Sequence, residues 1–144
     1  MKRLIVYLVL AVMLLSVLAS CGARGVILRT DPEVVTTQTK KITLLLENKC
    51  GRQIGHGYPR HLQYKVGGEW QYVEFLDPLA DSGRPELYIA TPNDDISLFA
   101  IPIEKWYGSL SVGEYRVEMD YNIGTYPFAS KNTHTVAVEF TVTE

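Results

Sequence analysis

One stretch of the chain alternates so strictly that it admits only one kind of backbone. From Glu114 the sequence reads Glu-Tyr-Arg-Val-Glu-Met-Asp-Tyr. Tyr115, Val117, Met119 and Tyr121 fall on one side of a period of two, and Glu114, Arg116, Glu118 and Asp120 fall on the other. A helix would scatter these apolar residues around its circumference. A strand lines them on one face and turns the charges to water. No segment beyond the N-terminal apolar run carries a sustained helical period, so the expectation for the domain is all-β.

The neighbouring segments agree. Glu33 to Thr37 is rich in β-branched residues. Lys41 to Glu47 places Ile42, Leu44 and Leu46 on one face and Leu45 on the other, the pattern of a central strand. His61 to Val66 alternates, Gly67-Gly68 follows, and Trp70 to Phe75 resumes an extended pattern. That is a hairpin signature, because tight hairpin turns need positive φ and glycine tolerates it. Asp77 to Pro85 reads as a turn-rich loop. Leu87 to Ile89 and Ile96 to Ile101 read as strands on either side of Thr91-Pro92-Asn93-Asp94-Asp95, a turn composition. Pro102 suits the entry to one helical turn over Ile103 to Tyr107. Asn122 to Lys131 is a long loop, and Thr135 to Thr143 sets Val136, Val138, Phe140 and Val142 in register. Seven or eight short strands with turns between them predict an antiparallel β-sandwich.

The N-terminus follows different rules. Met1-Lys2-Arg3 is basic, and the apolar run from Leu4 through Leu18 follows. At about 15 residues it is short for a membrane span of roughly 20. It suits the apolar core of a secretory signal peptide, here a helix over residues 1–20. Leu18-Ala19-Ser20-Cys21 is similar to a bacterial lipobox. The resemblance implies acylation of the Cys21 thiol and cleavage just before it. The alternative is an ordinary signal peptide, or an anchor helix, with an incidental cysteine. On the lipobox reading, residues 21–30 form the lipidated N-terminus and a short tether, or open the first strand, and residues 31–144 form the sandwich. The protein then sits in the cell envelope facing away from the cytoplasm. It lies at the outer membrane of a diderm host, where Gly22 is not the Asp that retains a lipoprotein at the inner membrane, or on the outer face of a monoderm's plasma membrane. Membrane attachment through several acyl chains is firm, since each buried CH₂ contributes about 0.8 kcal/mol.

Removal of the signal leaves about 124 residues, enough for one domain with its own core. Lys2 and Arg3 leave with it, so 14 basic residues become 12 against 16 acidic ones. A mildly acidic chain without a basic patch does not fit nucleic-acid binding. The chain has 2 cysteines. With Cys21 lipidated, Cys50 has no intramolecular partner, and the fold must stand on packing alone. Cys50 lies in Asn48-Lys49-Cys50-Gly51-Arg52, a turn composition, and reads as a partly buried small residue.

Three segments carry a family resemblance. Lys41-Ile42-Thr43-Leu44-Leu45-Leu46-Glu47-Asn48, then Gly67-Gly68-Glu69-Trp70-Gln71-Tyr72-Val73, then Leu110 to Tyr121 resemble the bacterial Ig-like domains of lipoproteins and surface proteins. Glu47, Asn48, Gly68, Trp70, Leu110, Gly113, Tyr115 and Arg116 stand at the matching positions, and the likeness covers roughly residues 34–144. It implies an immunoglobulin-like sandwich with Trp70, Gly113 and Tyr115 in structural roles. Gly113-Glu114-Tyr115 looks like a tyrosine corner, in which the phenol bonds back to upstream backbone. The cysteine pair of antibody domains is absent. The family implies a fold and no catalytic activity.

Candidate sites are sparse. His56, His61 and His134 have no spacing that requires a metal, and exposed loop or strand positions are the ordinary reading. Asn93-Asp94-Asp95 and residues 77–81 carry carboxylates but no EF-hand loop. No nucleophile elbow or phosphate-binding glycine loop is present, so no catalytic residue, metal or cofactor is expected. The aromatics are the binding candidates: Trp106 and Tyr107 before Gly108, and Tyr126 in the long loop. Core packing is the ordinary reading for Trp70 and Trp106. The expected function is an envelope binding or assembly module for an unidentified envelope or surface protein. Glycan binding through Tyr126, Trp106 or Tyr107 is the alternative, and an envelope enzyme or inhibitor is a third reading.

Overall fold

The alternating segment forms the longest pair of strands in the molecule. The computed structural model describes residues 25–59, 61–76, 88–124 and 133–144. In it β9 (Gly113–Ile123) pairs antiparallel with β10 (Thr133–Thr143) along almost their whole length. Tyr115, Val117, Met119 and Tyr121 are all buried on the inner face, as the period of two requires.

The other strands are β1 (Val26–Asp31), β2 (Val35–Thr36), β3 (Ile42–Asn48), β4 (Ile54–His56), β5 (Leu62–Val66), β6 (Glu69–Tyr72), β7 (Ile89–Thr91) and β8 (Ile96–Ile101). One helical turn, α1 (Ile103–Trp106), follows β8. The smaller sheet has the order β1-β3-β8. The larger runs β2-β10-β9-β4-β7, with β5 also on β9 and β6 on β5. Ile42, Leu44 and Leu46 of β3 are buried against Leu62, Val117, Met119 and Tyr121 of the larger sheet, closing one core between two layers. The result is an immunoglobulin-like β-sandwich.

The described residues hold ten strands where seven or eight are expected, and β1 and β4 are the additional ones. β1 begins at Val26, so of the two expectations for this segment, a tether or the opening of the first strand, the described residues form the strand, with Val26 and Leu28 in the core. The chain leaves the smaller sheet after Asp31 and resumes as β2, which lies parallel to β10. β4 and β5 lie along the same edge of β9. His56 stands opposite Tyr121 and Leu62 opposite Val117, so six steps of chain face four steps of β9. The surplus is a bulge containing Gly57 and Pro59, and proline cannot donate to a ladder. β6 and β7 flank β5 and β4 respectively. The Gly67-Gly68 hairpin forms as its sequence demands, with φ of 60° and 91°.

Residues 1–24, including Cys21, and Tyr126 lie outside the described residues. Among those described, no helix is long and apolar enough to cross a membrane.

Candidate interaction site

The outer face of the larger sheet carries a connected polar and aromatic surface. Gln63 pairs across strands with Arg116 and Tyr72, and Lys65 pairs with Trp70, so their side chains share that face. The Arg116 guanidinium lies 4.7 Å from the centre of the Trp70 ring, and Lys65 Nζ lies 5.4 Å from it. Both cations sit within range of the negative ring face. Arg116 Nε donates to Gln63 Oε1 at 2.8 Å, and Nη2 pairs with Glu118 at 3.0 Å. Lys65 pairs with Glu114 at 2.7 Å, and that carboxylate raises the lysine pKa. These contacts fix a Trp-Arg-Lys layer on a rigid sheet. Tyr72 stands beside it with 68 % of its surface exposed.

Trp70 is therefore not a core residue, in contrast to its expectation. The hairpin sets Trp70 on the outward face opposite Lys65, and the indole stacks with the charged groups of Arg116 and Lys65 instead. Gly113 and Tyr115 are structural. Tyr115 Oη donates to the Ser111 carbonyl at 3.0 Å, forming the expected corner. At Gly113 a Cβ would stand 2.5 Å from the Tyr64 ring, so only glycine fits beneath it.

The bulge after β4 and the departure of the chain after β6 lie side by side and leave a notch in the sheet. Residues 73–76 fold across it: Val73 N–H donates to Leu62 at 2.9 Å and Leu76 N–H to Trp106 at 2.8 Å. Phe75 stacks on Tyr107 with ring centres 4.9 Å apart, and meets Trp106 edge-on at 6.1 Å. Tyr107 is buried. The candidate platform at Trp106 and Tyr107 thus has one ring face already occupied by Phe75. The cleft beside it, lined by Tyr58, His61, Leu62 and Ile101 among others, measures about 10 Å³ and would hold about one water, not a sugar ring.

The histidines do not meet. His61 contacts Tyr72 and Phe75, and His134 stacks on Tyr121. His56 is fully buried, against the expectation of an exposed position, because β4 is flanked by strands on both sides. Its Nδ1–H donates to the Gly57 carbonyl at 3.0 Å, so Nε2 accepts from Thr91 Oγ1 at 2.7 Å. Thr91 Oγ1 in turn accepts from Ser97 Oγ at 2.5 Å. Burial lowers the His56 pKa, partly offset by the Gly57 bond. Among the described residues, no cluster of His, Cys, Asp or Glu is arranged to hold a metal.

Asn48, fully buried at the end of β3, is a second network centre. Nδ2 donates toward the carbonyls of Arg52, Thr91 and Pro92 at 2.8, 3.0 and 2.9 Å, and Oδ1 accepts from Cys50 N at 3.1 Å. Cys50 is buried, and its Sγ lies 3.3 Å from the Arg52 carbonyl.

The sandwich, its two-sheet order and the tyrosine corner agree with a family model described as a bacterial Ig-like domain, which matches residues 22–141. The chain belongs to the bacterial Ig-like domain family. No curated protein matches it. Membership accounts for the matching positions in this Ig-like domain: Asn48 ties the sheets together, Gly113 and Tyr115 form the corner, and Trp70 and Arg116 meet on the outer face. What sequence reasoning missed is that last contact. Its signal was the register of the Gly67-Gly68 hairpin, which fixes Trp70 opposite Lys65.

Proposed function

We propose that this Ig-like domain is a lipid-anchored module of the cell envelope that binds a protein partner through the outer face of its larger sheet. The observation that carries the reading is the Trp70–Arg116 stack with exposed Tyr72 at its side. Tryptophan, tyrosine and arginine dominate the energetics of protein interfaces, and here they are held in place before any partner arrives. The Leu18-Ala19-Ser20-Cys21 motif supports acylation of Cys21 and attachment to the membrane. Binding, not catalysis, suits a face built from such contacts. The occupied ring face of Tyr107 weighs against a glycan platform there.

The test is crosslinking in intact cells, then purification of the acylated chain with whatever is bound to it. A specific protein should appear, and Trp70→Ala with Tyr72→Ala should reduce its recovery about tenfold or more. Both residues lie outside the core, so folding should survive. Undiminished recovery, or capture of glycan alone, would refute the proposed face. Cys21→Ser should release the chain from the membrane or stall its processing; a mature membrane-bound product would exclude the lipid anchor.

A further inference from the structure

β8 is an edge strand that lacks the usual protection. It pairs with β3 on one side and with no other strand among the described residues. Its sequence, Ile96-Ser97-Leu98-Phe99-Ala100-Ile101, holds no charge and no proline. Natural edges are normally blunted by lysine, proline or a bulge, since alternate residues present unpaired N–H and C=O groups. Ile96 and Leu98 point away from the core and are 48 % and 65 % exposed. The register sets Leu98 beside Leu45 on the same outer face.

The two ends of this edge carry opposite charge. At the start of β8 stand Asp94, Asp95 and Glu47, which outnumber Lys49 and Arg29, the cations paired with them. At its end stand Lys40, Lys41 and Lys105, which outnumber Glu104 and Asp31, the latter opposite Thr43. A two-fold axis through the middle of β8 brings each acidic end against a basic end. An antiparallel copy is therefore electrostatically matched, whereas a parallel one places like charges together.

We infer that β8 pairs antiparallel with β8 of a second copy, Leu98 opposite Leu98, joining two three-stranded sheets into one of six strands. The contact is isologous and closes as a dimer. It lies on the opposite sheet from Trp70, so its failure and that of the proposed binding face are separately visible.

The full chain, extracted from membranes in mild detergent, is examined by sedimentation equilibrium. The unaltered protein should be dimeric at high micromolar concentration. Leu98→Lys, which sets like charges face to face at the axis, should weaken association at least about tenfold while the thermal midpoint stays put. Leu98→Cys should be joined to its own copy by a short bifunctional maleimide, a reaction the buried Cys50 of the unaltered chain does not give. Trp70→Ala should leave the dimer intact. A monomeric unaltered protein overturns the inference, as does a dimer that Leu98→Lys does not weaken. If Leu98→Lys fails to fold, the Leu98→Cys variant decides: dimers that do not crosslink at this position overturn it.

Discussion

Asn48→Asp is the most informative single change, because it keeps the shape of a fully buried side chain and reverses its chemistry. Nδ2 now donates its two hydrogens among three carbonyl oxygens, at 2.8, 3.0 and 2.9 Å. These belong to the turn after β3 and to the connection between β7 and β8, so one amide links the two sheets. The substitution replaces that donor by an acceptor among acceptors. Two lost bonds and the carbonyls they leave bare amount to about 4 kcal/mol, each orphaned group costing roughly 1–3 kcal/mol. A domain of this size has about 5–15 kcal/mol in all. Urea unfolding followed by the fluorescence of Trp70 and Trp106 should show the loss, and the thermal midpoint should fall by roughly 15 °C. The pH dependence is diagnostic. A carboxylate buried among carbonyl oxygens has a folded pKa above its unfolded value of about 3.9. The deficit is therefore largest above that folded pKa and shrinks as pH falls and the acid regains one donor. A loss below about 1 kcal/mol, or a deficit independent of pH, would refute the argument that this amide holds the sheets together.

Three further outcomes are expected. Burial holds His56 below the ordinary histidine value of about 6.5 in the folded state, so the unfolded chain binds the extra proton first. Stability is then complete above that pH and is lost as pH falls, at no more than about 1.4 kcal/mol per pH unit. His56→Asn should remove this component from urea unfolding between about pH 7 and 5, and identical slopes in the two proteins would contradict it. Tyr115→Phe keeps the buried ring but deletes the bond to Ser111, whose exposed carbonyl water can reach; calorimetry should show a loss of about 1 kcal/mol. Gly25→Ala places a Cβ 2.5 Å from the Cys50 backbone, and the overpacking should cost about 2 kcal/mol, visible as a lower urea midpoint with unchanged slope.

Much of the fold was legible because its signals are local. Period-two alternation identified β3, β5, β9 and β10, and Gly67-Gly68 fixed a hairpin. The tyrosine corner was legible too, since its bond spans only from Tyr115 to Ser111. What the sequence did not reveal depends on pairing between distant strands. Nothing in Ile54-Gly55-His56 alternates, so β4 was read past, and with it the burial of His56. The position of Trp70 turned on which face of β5 the hairpin presents to Arg116, 46 residues away along the chain. Residue type alone favours burial for an indole, and here cross-strand cations outweighed it.

The same logic explains why the edge at β8 is invisible in one dimension. Ile96 to Ile101 carries one polar side chain, Ser97, and no charge, so it reads as a strand without revealing which of its edges is paired. Among the described residues only one of its edges is paired, because the chain reaches it from β7, and β7 stays with the larger sheet beside β4 instead of flanking β8. An uncharged strand left at a sheet edge has either kept an uncompensated liability or acquired a partner outside its own chain. The opposed charges at its two ends favour the second, since an unselected edge has no reason to be complementary to itself under a two-fold rotation.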